Sequence, residues 1–414
     1  MKTTFATVLK NRNFLKIWGA QLVSLICANM LVFILMGRIY QVTGSTIAVG
    51  LLWGFYILPT ATLGPFIGVS LDYLDKKKIL IFSSLAQSFV VLFYLGVGEK
   101  IWPLYTIILL YSFCDEFFNP AIGVLLPSLV KKKELAAANS IFLFTTQGSF
   151  VLGFLVGGLM LKFLGFSQYP FLIASVLLVF AAILASFLKW KRPIPERKIE
   201  ASLTGFWQQL VKGYNFIKNE PKILFPMMLL GGIQIILGMG LILVPSISRN
   251  ILAIDFADSS YVIILPAVIG AILGSFLVER IIRKYLKRIL IINGLFLSGV
   301  SVLITGAVLP LIWFPAIFGS FLAFLMGIAF VLMFIPLRVL IQENTPFVVR
   351  GRVFGMLNTL ITLAGVVPVL GAVTLVDILG VKLVLTIGGI GLIILGIYAA
   401  RGKYGILRIY NRTK

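Results

Sequence analysis

Long continuous apolar stretches are the feature of this 414-residue sequence that most restricts how the chain can fold. A helix that crosses a lipid bilayer needs about 20 consecutive, mostly apolar residues. Hydrophobic residues make up 60% of this chain, whereas charged residues make up only 12%. A soluble fold of this length could not remove so much apolar surface from water. The sequence therefore predicts an integral membrane protein.

Twelve such stretches can be drawn between turns and charged loops, six in each half of the chain. Because they are continuous and do not alternate between apolar and polar residues, they favour helices over the strands of a membrane barrel. They lie near 14–36, 46–70, 78–97, 103–127, 135–161 and 168–188, and near 223–247, 258–279, 289–309, 314–336, 350–376 and 382–400. We therefore predict an all-α membrane protein of about 12 transmembrane helices.

Basic residues in the loops predict the orientation of these helices. The 36 Lys and Arg residues outnumber the 14 Asp and Glu residues. Most of the basic residues fall on the side of the two termini, including Arg338, Arg350 and Arg352, and the other side holds Arg38, Lys100, Lys162, Arg249 and Lys382. Cytoplasmic loops are enriched in Lys and Arg. Both termini are therefore expected in the cytoplasm, with the excess charge facing anionic lipid and not nucleic acid.

A hydrophilic stretch near the midpoint divides the chain into two similar halves. We predict a six-helix bundle over 1–188, a cytoplasmic amphipathic linker over 189–222 and a second six-helix bundle over 223–414. Ala61-Thr-Leu-Gly64-Pro-Phe aligns without a gap with Ala271-Ile-Leu-Gly274-Ser-Phe, and such a repeat predicts two pseudo-symmetric bundles. The linker is expected to lie on the membrane surface; the alternative is a docking site for a partner.

Several classes of chemistry are excluded by residues that the sequence lacks. It contains no histidine, which excludes a Ser–His–Asp triad and an HExxH zinc site. It has no phosphate-binding loop of the G-x-x-x-x-G-K-[ST] type. Cys27 and Cys114 both lie inside apolar stretches and support neither a disulfide framework nor a metal site. We therefore expect no enzyme, no metal and no cofactor, and a protein that works by changing conformation.

The loop after the second span is similar to a loop of the major facilitator superfamily. Gly68-Val-Ser-Leu-Asp72-Tyr-Leu-Asp75-Lys76-Lys77 resembles the G-x-x-x-D-R-x-G-R-R pattern of that superfamily, with Tyr and Asp where Arg and Gly are usual. Stretches at 39–45, 119–121, 135–140 and 345–352 resemble its drug and macrolide efflux branch. The resemblance implies a cytoplasmic gate between this loop and the start of the eleventh span, formed by Gly68, Asp72, Asp75, Lys76, Lys77, Arg350 and Arg352.

A glycine pattern on the fifth span resembles a motif of exporters in the superfamily. Gly153-Phe-Leu-Val-Gly157-Gly158 is similar to G-P-x-x-G-G, with Phe154 at the position of the usual proline. Glycines at such spacing let helices approach closely and bend, which rocking bundles need. The alternative is ordinary packing of small residues between membrane helices.

Two adjacent carboxylates, Asp115 and Glu116, fall near the middle of the fourth span. A charge at that depth costs about 2.5–3.5 kcal/mol on insertion scales, so such residues usually face a cavity and serve transport. Adjacent residues point about 100° apart on a helix, and we expect one of the two to face the pathway and couple transport to protons. The alternative is a buried structural carboxyl bonded to Asn119 or Ser112.

The resemblance also implies that the first, fourth, seventh and tenth helices line the pathway. Gln21, Tyr111 and Gln234 are further candidates for substrate contact on these helices. Tyr111 lies in the region where many drug–proton antiporters of the superfamily carry an arginine. The alternative for each polar side chain is a hydrogen bond between helices.

Together these features predict a secondary-active transporter that exports an amphipathic, macrolide-like compound in exchange for protons. Its expected partners are the small-molecule substrate, protons and membrane lipids. We expect a monomer in a bacterial plasma membrane. The alternatives are a lysolipid or siderophore transporter of the same fold, or a sensor or scaffold that has lost transport.

Overall fold

The computed structural model describes residues 2–70, 74–97, 100–131, 134–190, 217–282, 286–346 and 373–400, and a few positions between 353 and 371. The described residues form helices joined by short turns, with no strand among them. The predicted all-α fold class is therefore confirmed.

The helices follow the predicted spans closely. In the first half they are α1 Lys2–Lys10, α2 Arg12–Thr43, α3 Thr46–Ser70, α4 Lys76–Leu92, α5 Trp102–Leu129, α6 Leu135–Leu164 and α7 Tyr169–Ser186. In the second half they are α8 Pro221–Ile247, α9 Leu265–Ile281, α10 Lys287–Ala307, α11 Pro315–Asn344, α12 Val373–Leu379 and α13 Val381–Ala400. Within the described ranges, ten helical segments are long and apolar enough to cross a membrane, and Thr46–Thr60 is a shorter apolar helix. Most of the predicted eleventh span, 350–376, lies outside the described residues.

Proline and glycine explain several helix ends. A proline lies in the first turn of α5, α7, α8, α9 and α11. Backbone N–H groups in the first turn have no acceptor within the helix, so proline removes no hydrogen bond there. Gly44, between α2 and α3, adopts φ +63°, and Gly165 after α6 adopts φ +61°. Glycine enters this left-handed region at no steric cost, so these positions allow the chain to reverse between helices.

The chain divides into two compact units, and each has its own apolar core. The first comprises Met1–Thr43 and Leu51–Leu203, and the second comprises Gly44–Gly50 and Thr204–Lys414. The core of the first unit includes Phe14, Phe118 and Ala185, and that of the second includes Ile291, Leu337 and Leu392. Residues 191–216, most of the predicted linker, lie outside the described residues. The predicted boundaries at 188 and 223 therefore stay predictions.

The two units repeat the same packing. In the first unit α4 packs against α5 and α7, and α2 packs against α5. In the second unit α10 packs against α11 and α13 in the same way, and α8 packs against α11. These equivalent pairs confirm the pseudo-symmetry that the internal sequence repeat predicts, and they make α11 the counterpart of α5.

Two predicted spans end too early, and each error changes the place of an arginine. The first span was predicted to end at 36, but α2 continues to Thr43 and contains Arg38. The tenth span was predicted to end at 336, with Arg338 among the cytoplasmic loop charges, but α11 continues to Asn344. Pro336 lies inside this helix, because membrane helices tolerate proline when neighbouring groups satisfy the freed carbonyl. Arg338 therefore belongs to a helix of the membrane bundle.

Candidate functional site

The adjacent carboxylates of α5 point toward different helices. The Asp115 side chain is only 8% exposed. Its Oδ1 accepts a hydrogen bond from Nε2 of Gln87 on α4 at 3.1 Å, and its Oδ2 accepts one from Nδ2 of Asn119 at 3.3 Å. Asn119 lies one turn further along α5 and presents its amide on the same face. Both oxygens of Asp115 are thus held by amide donors inside the first unit.

Glu116 has a different partner and is more accessible. It is half-buried, and the hydroxyl of Thr60 on α3 donates a hydrogen bond to its Oε1. One turn earlier on both helices, Ser112 Oγ donates to the backbone oxygen of Tyr56 at 2.5 Å. Two parallel contacts therefore join α3 to α5, and Glu116 faces α3 while Asp115 faces α4.

The two sets of partners differ in how they accommodate a proton on the carboxyl. Both amides present their NH₂ groups to Asp115, which suits an ionised carboxylate, and an amide turned over would present its oxygen to a protonated one. A hydroxyl both donates and accepts, so Thr60 can bond Glu116 with or without its proton. Within the described residues, no group of three or more His, Cys, Asp or Glu could hold a metal ion.

Two other predicted site residues, Gln21 and Tyr111, present buried polar atoms without a partner among the described residues, as does Ser24. Among the described residues, no hydrogen bond reaches the Tyr111 hydroxyl, Oε1 of Gln21 or Oγ of Ser24. Tyr111 lies one turn before Asp115 on the same face of α5. Unpaired buried polar groups are uncommon and usually have a functional reason or bind water. Gln234 is half-buried on α8, in the second unit.

The predicted gate falls mostly outside the described residues. Gly68 lies in α3, but Asp72, Arg350 and Arg352 are not among the described positions. Asp75 caps α4, because its side chain accepts a hydrogen bond from the backbone N–H of Lys78 at 3.2 Å. This local role explains an aspartate where the superfamily pattern has glycine.

The two basic residues of the gate pattern form the first turn of α4. Lys76 is buried and Lys77 is half-buried. The gate contact itself, between the Asp72 loop and the start of the eleventh span, stays a prediction.

The exporter-like glycines lie where α6 crosses α2. A Cβ added at Gly153 would lie 2.5 Å from the Asn29 Cβ, and one at Gly157 would lie 3.1 Å from a ring carbon of Phe33. Gly158 is also buried. Phe154, at the usual proline position, is fully buried and packs edge-to-face on Phe33 with ring centroids 5.2 Å apart. Close helix packing accounts for Gly153 and Gly157, and the export role of the motif stays a prediction.

In the second unit, a carboxylate from α12 caps the first turn of α3. Asp377 Oδ2 accepts from Ser45 Oγ at 2.5 Å, and its two oxygens accept from the backbone N–H groups of Thr46 at 2.9 Å and Ile47 at 3.2 Å. Asp377 lies just beyond the predicted eleventh span. Burial raises the pKa of its carboxyl and these hydrogen bonds lower it, leaving the pKa below its usual value. The Gly44-Ser45 motif thus forms a turn whose donors hold an aspartate that is distant in sequence.

Three polar residues of the membrane helices were missed by sequence reasoning. Thr60 and Gln87 hold the two carboxylates, and Arg338 lies in α11. Each is a polar side chain in an apolar span, and such residues tend to pair with one another. A polar side chain in an apolar span could therefore have indicated Gln87 as a partner for an intramembrane acid. It could not have indicated which of the two acids Gln87 contacts.

The family of the chain follows from a comparison with known sequences. The sequence profile of the Major Facilitator Superfamily matches residues 17–369. The chain belongs to this superfamily. It is therefore a multi-pass membrane transport protein for small molecules, and not an enzyme.

Similar members of the Major Facilitator Superfamily come from bacteria. The chain is 28% identical over 385 residues to the uncharacterized MFS-type transporter YfiS of Bacillus subtilis, covering 88% of this chain and 86% of that protein. It is 25% identical over 389 residues to macrolide efflux protein A of Streptococcus pyogenes, covering 89% and 90%. The crystal structure of the nucleoside transporter NupG (D323A mutant) has a TM-score of 0.73 at 14% identity, covering 93% and 98%. That likeness concerns the fold.

Proposed function

We propose that this chain exports an amphipathic compound in exchange for protons, with Glu116 as the residue that exchanges the proton. The observation that carries the proposal is the contact between Glu116 and the Thr60 hydroxyl, on a half-buried side chain. A coupling carboxyl must exist in both protonation states and must exchange its proton with water. Glu116 meets both requirements, whereas Asp115 is buried between two amide donors.

The proposed cycle needs only this one carboxyl. In the proposed cycle Glu116 carries a proton until substrate arrives. Substrate loaded from the cytoplasm displaces the proton, and opening to the outside releases the substrate and restores the proton. Asp115 contacts Gln87 of α4 and holds α4 beside α5 throughout.

Export and the substrate class are supported by the similarity to macrolide efflux protein A. A macrolide-like compound carries a large apolar body, and a cationic amine would compete with the proton for Glu116. We further propose that the protein acts as a monomer in a bacterial plasma membrane with both termini in the cytoplasm. The Asp72 loop closes its gate against the start of the eleventh span.

Reconstitution into liposomes tests the proposal. Purified protein is placed in vesicles with an imposed pH gradient, and uptake of a radiolabelled macrolide is compared with exchange of the same compound at equal pH. Wild type is expected to accumulate the macrolide under the gradient. Glu116→Gln is expected to exchange it passively without accumulation.

Asp115→Asn and Thr60→Ser are the matched controls. Both leave Glu116 ionisable, and Thr60→Ser preserves its hydroxyl partner, so both are expected to accumulate the macrolide. Accumulation by Glu116→Gln at the wild-type level would refute the coupling role of this residue. Absence of any gradient-driven flux in wild type would refute proton-coupled export of a macrolide.

A lysolipid transporter of the same fold is the second candidate. A specific observation favours it, since Arg338 of α11 offers a cation to an acidic head group. A macrolide amine would be repelled by the same charge.

A further inference from the structure

A half-buried arginine, Arg338, lies on α11 of the second unit beside two aromatic rings. Phe330, Phe334 and Arg338 follow one another at intervals of one turn, and all three are half-buried. The rings of Phe330 and Phe334 are stacked with centroids 5.0 Å apart, and the guanidinium carbon of Arg338 lies 5.2 Å from the centroid of Phe334. We call these three residues the aromatic–arginine stripe.

Among the described residues, the buried Nε atom of Arg338 has no hydrogen-bond acceptor. It belongs to a guanidinium, which carries five N–H donors. The nearest carboxylate along α11 is Glu343, which forms an ion pair with Lys287 of α10. The contact with the Phe334 ring supplies attraction but no acceptor. In the part of the chain that the structure describes, no carboxylate is therefore paired with Arg338.

We propose that the aromatic–arginine stripe binds the acidic head and the adjoining apolar chain of a transported amphiphile. A planar guanidinium pairs with the two oxygens of a carboxylate or phosphate, and the rings of Phe334 and Phe330 offer apolar contact to the chain beyond the head. The ligand class is a free, single-chain acid with one anionic group. Its fate as cargo rests on the second candidate function above, a lysolipid transporter, whereas its binding does not.

Binding of octyl compounds that differ only in the head group tests this site. The full chain is placed in nanodiscs of zwitterionic phosphatidylcholine, and calorimetric titration is corrected with empty nanodiscs. The probes are octyl phosphate, octyltrimethylammonium, octyl glucoside and inorganic phosphate. Octyl phosphate is expected to bind more tightly than each of the other three, because it alone supplies both the anion and the apolar chain.

Substitutions locate the binding on the stripe. Arg338→Gln is expected to weaken octyl phosphate binding by about tenfold or more, since a charge-assisted hydrogen bond is lost. Arg338→Lys, which keeps a point charge, is expected to retain part of the affinity, and Phe334→Leu to lose part of it. Arg38→Gln is the matched control. Among the described residues the Nε atom of Arg38 is also buried without a partner, and its guanidinium carbon lies 5.8 Å from the centroid of the Phe166 ring. The Arg38→Gln variant should bind octyl phosphate as wild type does.

Three results would overturn the proposal. The first is equal binding of octyl phosphate by wild type and the folded Arg338 variants, and the second is binding of inorganic phosphate as tight as that of octyl phosphate. The third is loss of octyl phosphate binding in nanodiscs of phosphatidylglycerol, which would make a bilayer lipid the occupant. Glu116→Gln is expected to bind octyl phosphate normally, so failure of proton coupling and failure of this site give different results.

Discussion

α5 of the first unit and α11 of the second occupy equivalent places in the repeat, yet they carry opposite charges. α5 packs on α4 and α2 as α11 packs on α10 and α8. Near its middle α5 holds Asp115 and Glu116, whereas α11 holds Arg338 nearer its C-terminal end, against Phe334.

This difference shows what the repeat preserves and what it leaves free to change. Glycines that let helices approach closely occur in both units, at Gly153 on α6 and at Gly294 on α10. The equivalent helices α5 and α11 share their packing partners but not their charged side chains. The repeat thus preserves the packing of the helices and not the chemistry within them.

Exchanging the two charges should produce the largest effect. The double variant Glu116→Arg and Arg338→Glu keeps the net charge of the chain but removes the ionisable acid from α5. We expect macrolide accumulation in liposomes to fall to the level of empty vesicles. Binding should shift from octyl phosphate to octyltrimethylammonium.

Glu116→Asp, which keeps an acid on α5, is the control for this exchange and should retain accumulation. Near-normal pumping by the exchanged variant would mean that the two positions are interchangeable. In that case the asymmetry between α5 and α11 would have no role in coupling.

A smaller effect is expected where the helices of the scaffold touch. Gly153→Ala should lower the free energy of unfolding by about 1–3 kcal/mol, because an added Cβ would press on Asn29 and on the Ile26 carbonyl. Gly148→Ala on the same helix has no neighbour within 4 Å and should be neutral or stabilising. Thermal unfolding in detergent measures both, and equal losses would show that α6 does not pack as described.

Substitution of Asp115 should lower stability more than substitution of Glu116, whereas substitution of Glu116 should lower transport more. Asp115→Asn should lower the free energy of unfolding by about 1–2 kcal/mol, because the NH₂ group of Gln87 or of Asn119 then faces another donor. Glu116→Gln should cost less, since its amide oxygen still accepts from Thr60. Unfolding midpoints, set beside the transport rates, check this order, and a larger destabilisation by Glu116→Gln would contradict it.

The smallest effect is expected at the cap of α3. Asp377→Ala should lower the free energy of unfolding by about 1 kcal/mol, which is typical for the loss of an N-cap. Because folding lowers the pKa of Asp377, its contribution is present at neutral pH and is lost as the pH falls below about 4. Asp255→Ala is the control, since the Asp255 side chain caps no helix. A wild-type advantage that persists unchanged at low pH would show that the carboxylate is not the stabilising group.

The sequence predicted the fold well because membrane helices are determined by local composition. Twenty apolar residues in succession satisfy their own backbone hydrogen bonds as a helix, so most spans could be drawn without any knowledge of packing. The exceptions are the ends at 36 and 336, because a span drawn from its apolar residues stops before a polar final turn that is still helical. Arg38 and Arg338 lie in such turns.

The candidate site was predicted only in part. The sequence indicates that Asp115 and Glu116 are adjacent and about 100° apart on a helix. Which of them meets Gln87 and which meets Thr60 depends on how α3, α4 and α5 are arranged around one another, and local sequence does not encode that rotation. The same limit applies to Ser45 and Asp377, which meet across most of the length of the chain.

Proton release on substrate binding tests the central claim most directly. Purified protein in weakly buffered detergent solution, at a pH where Glu116 is protonated, is mixed with a macrolide while a pH-sensitive dye follows the solution. Wild type and Asp115→Asn are expected to release protons in proportion to bound macrolide, whereas Glu116→Gln binds it and releases none. Proton release by Glu116→Gln equal to that of wild type would contradict the assignment of coupling to this residue.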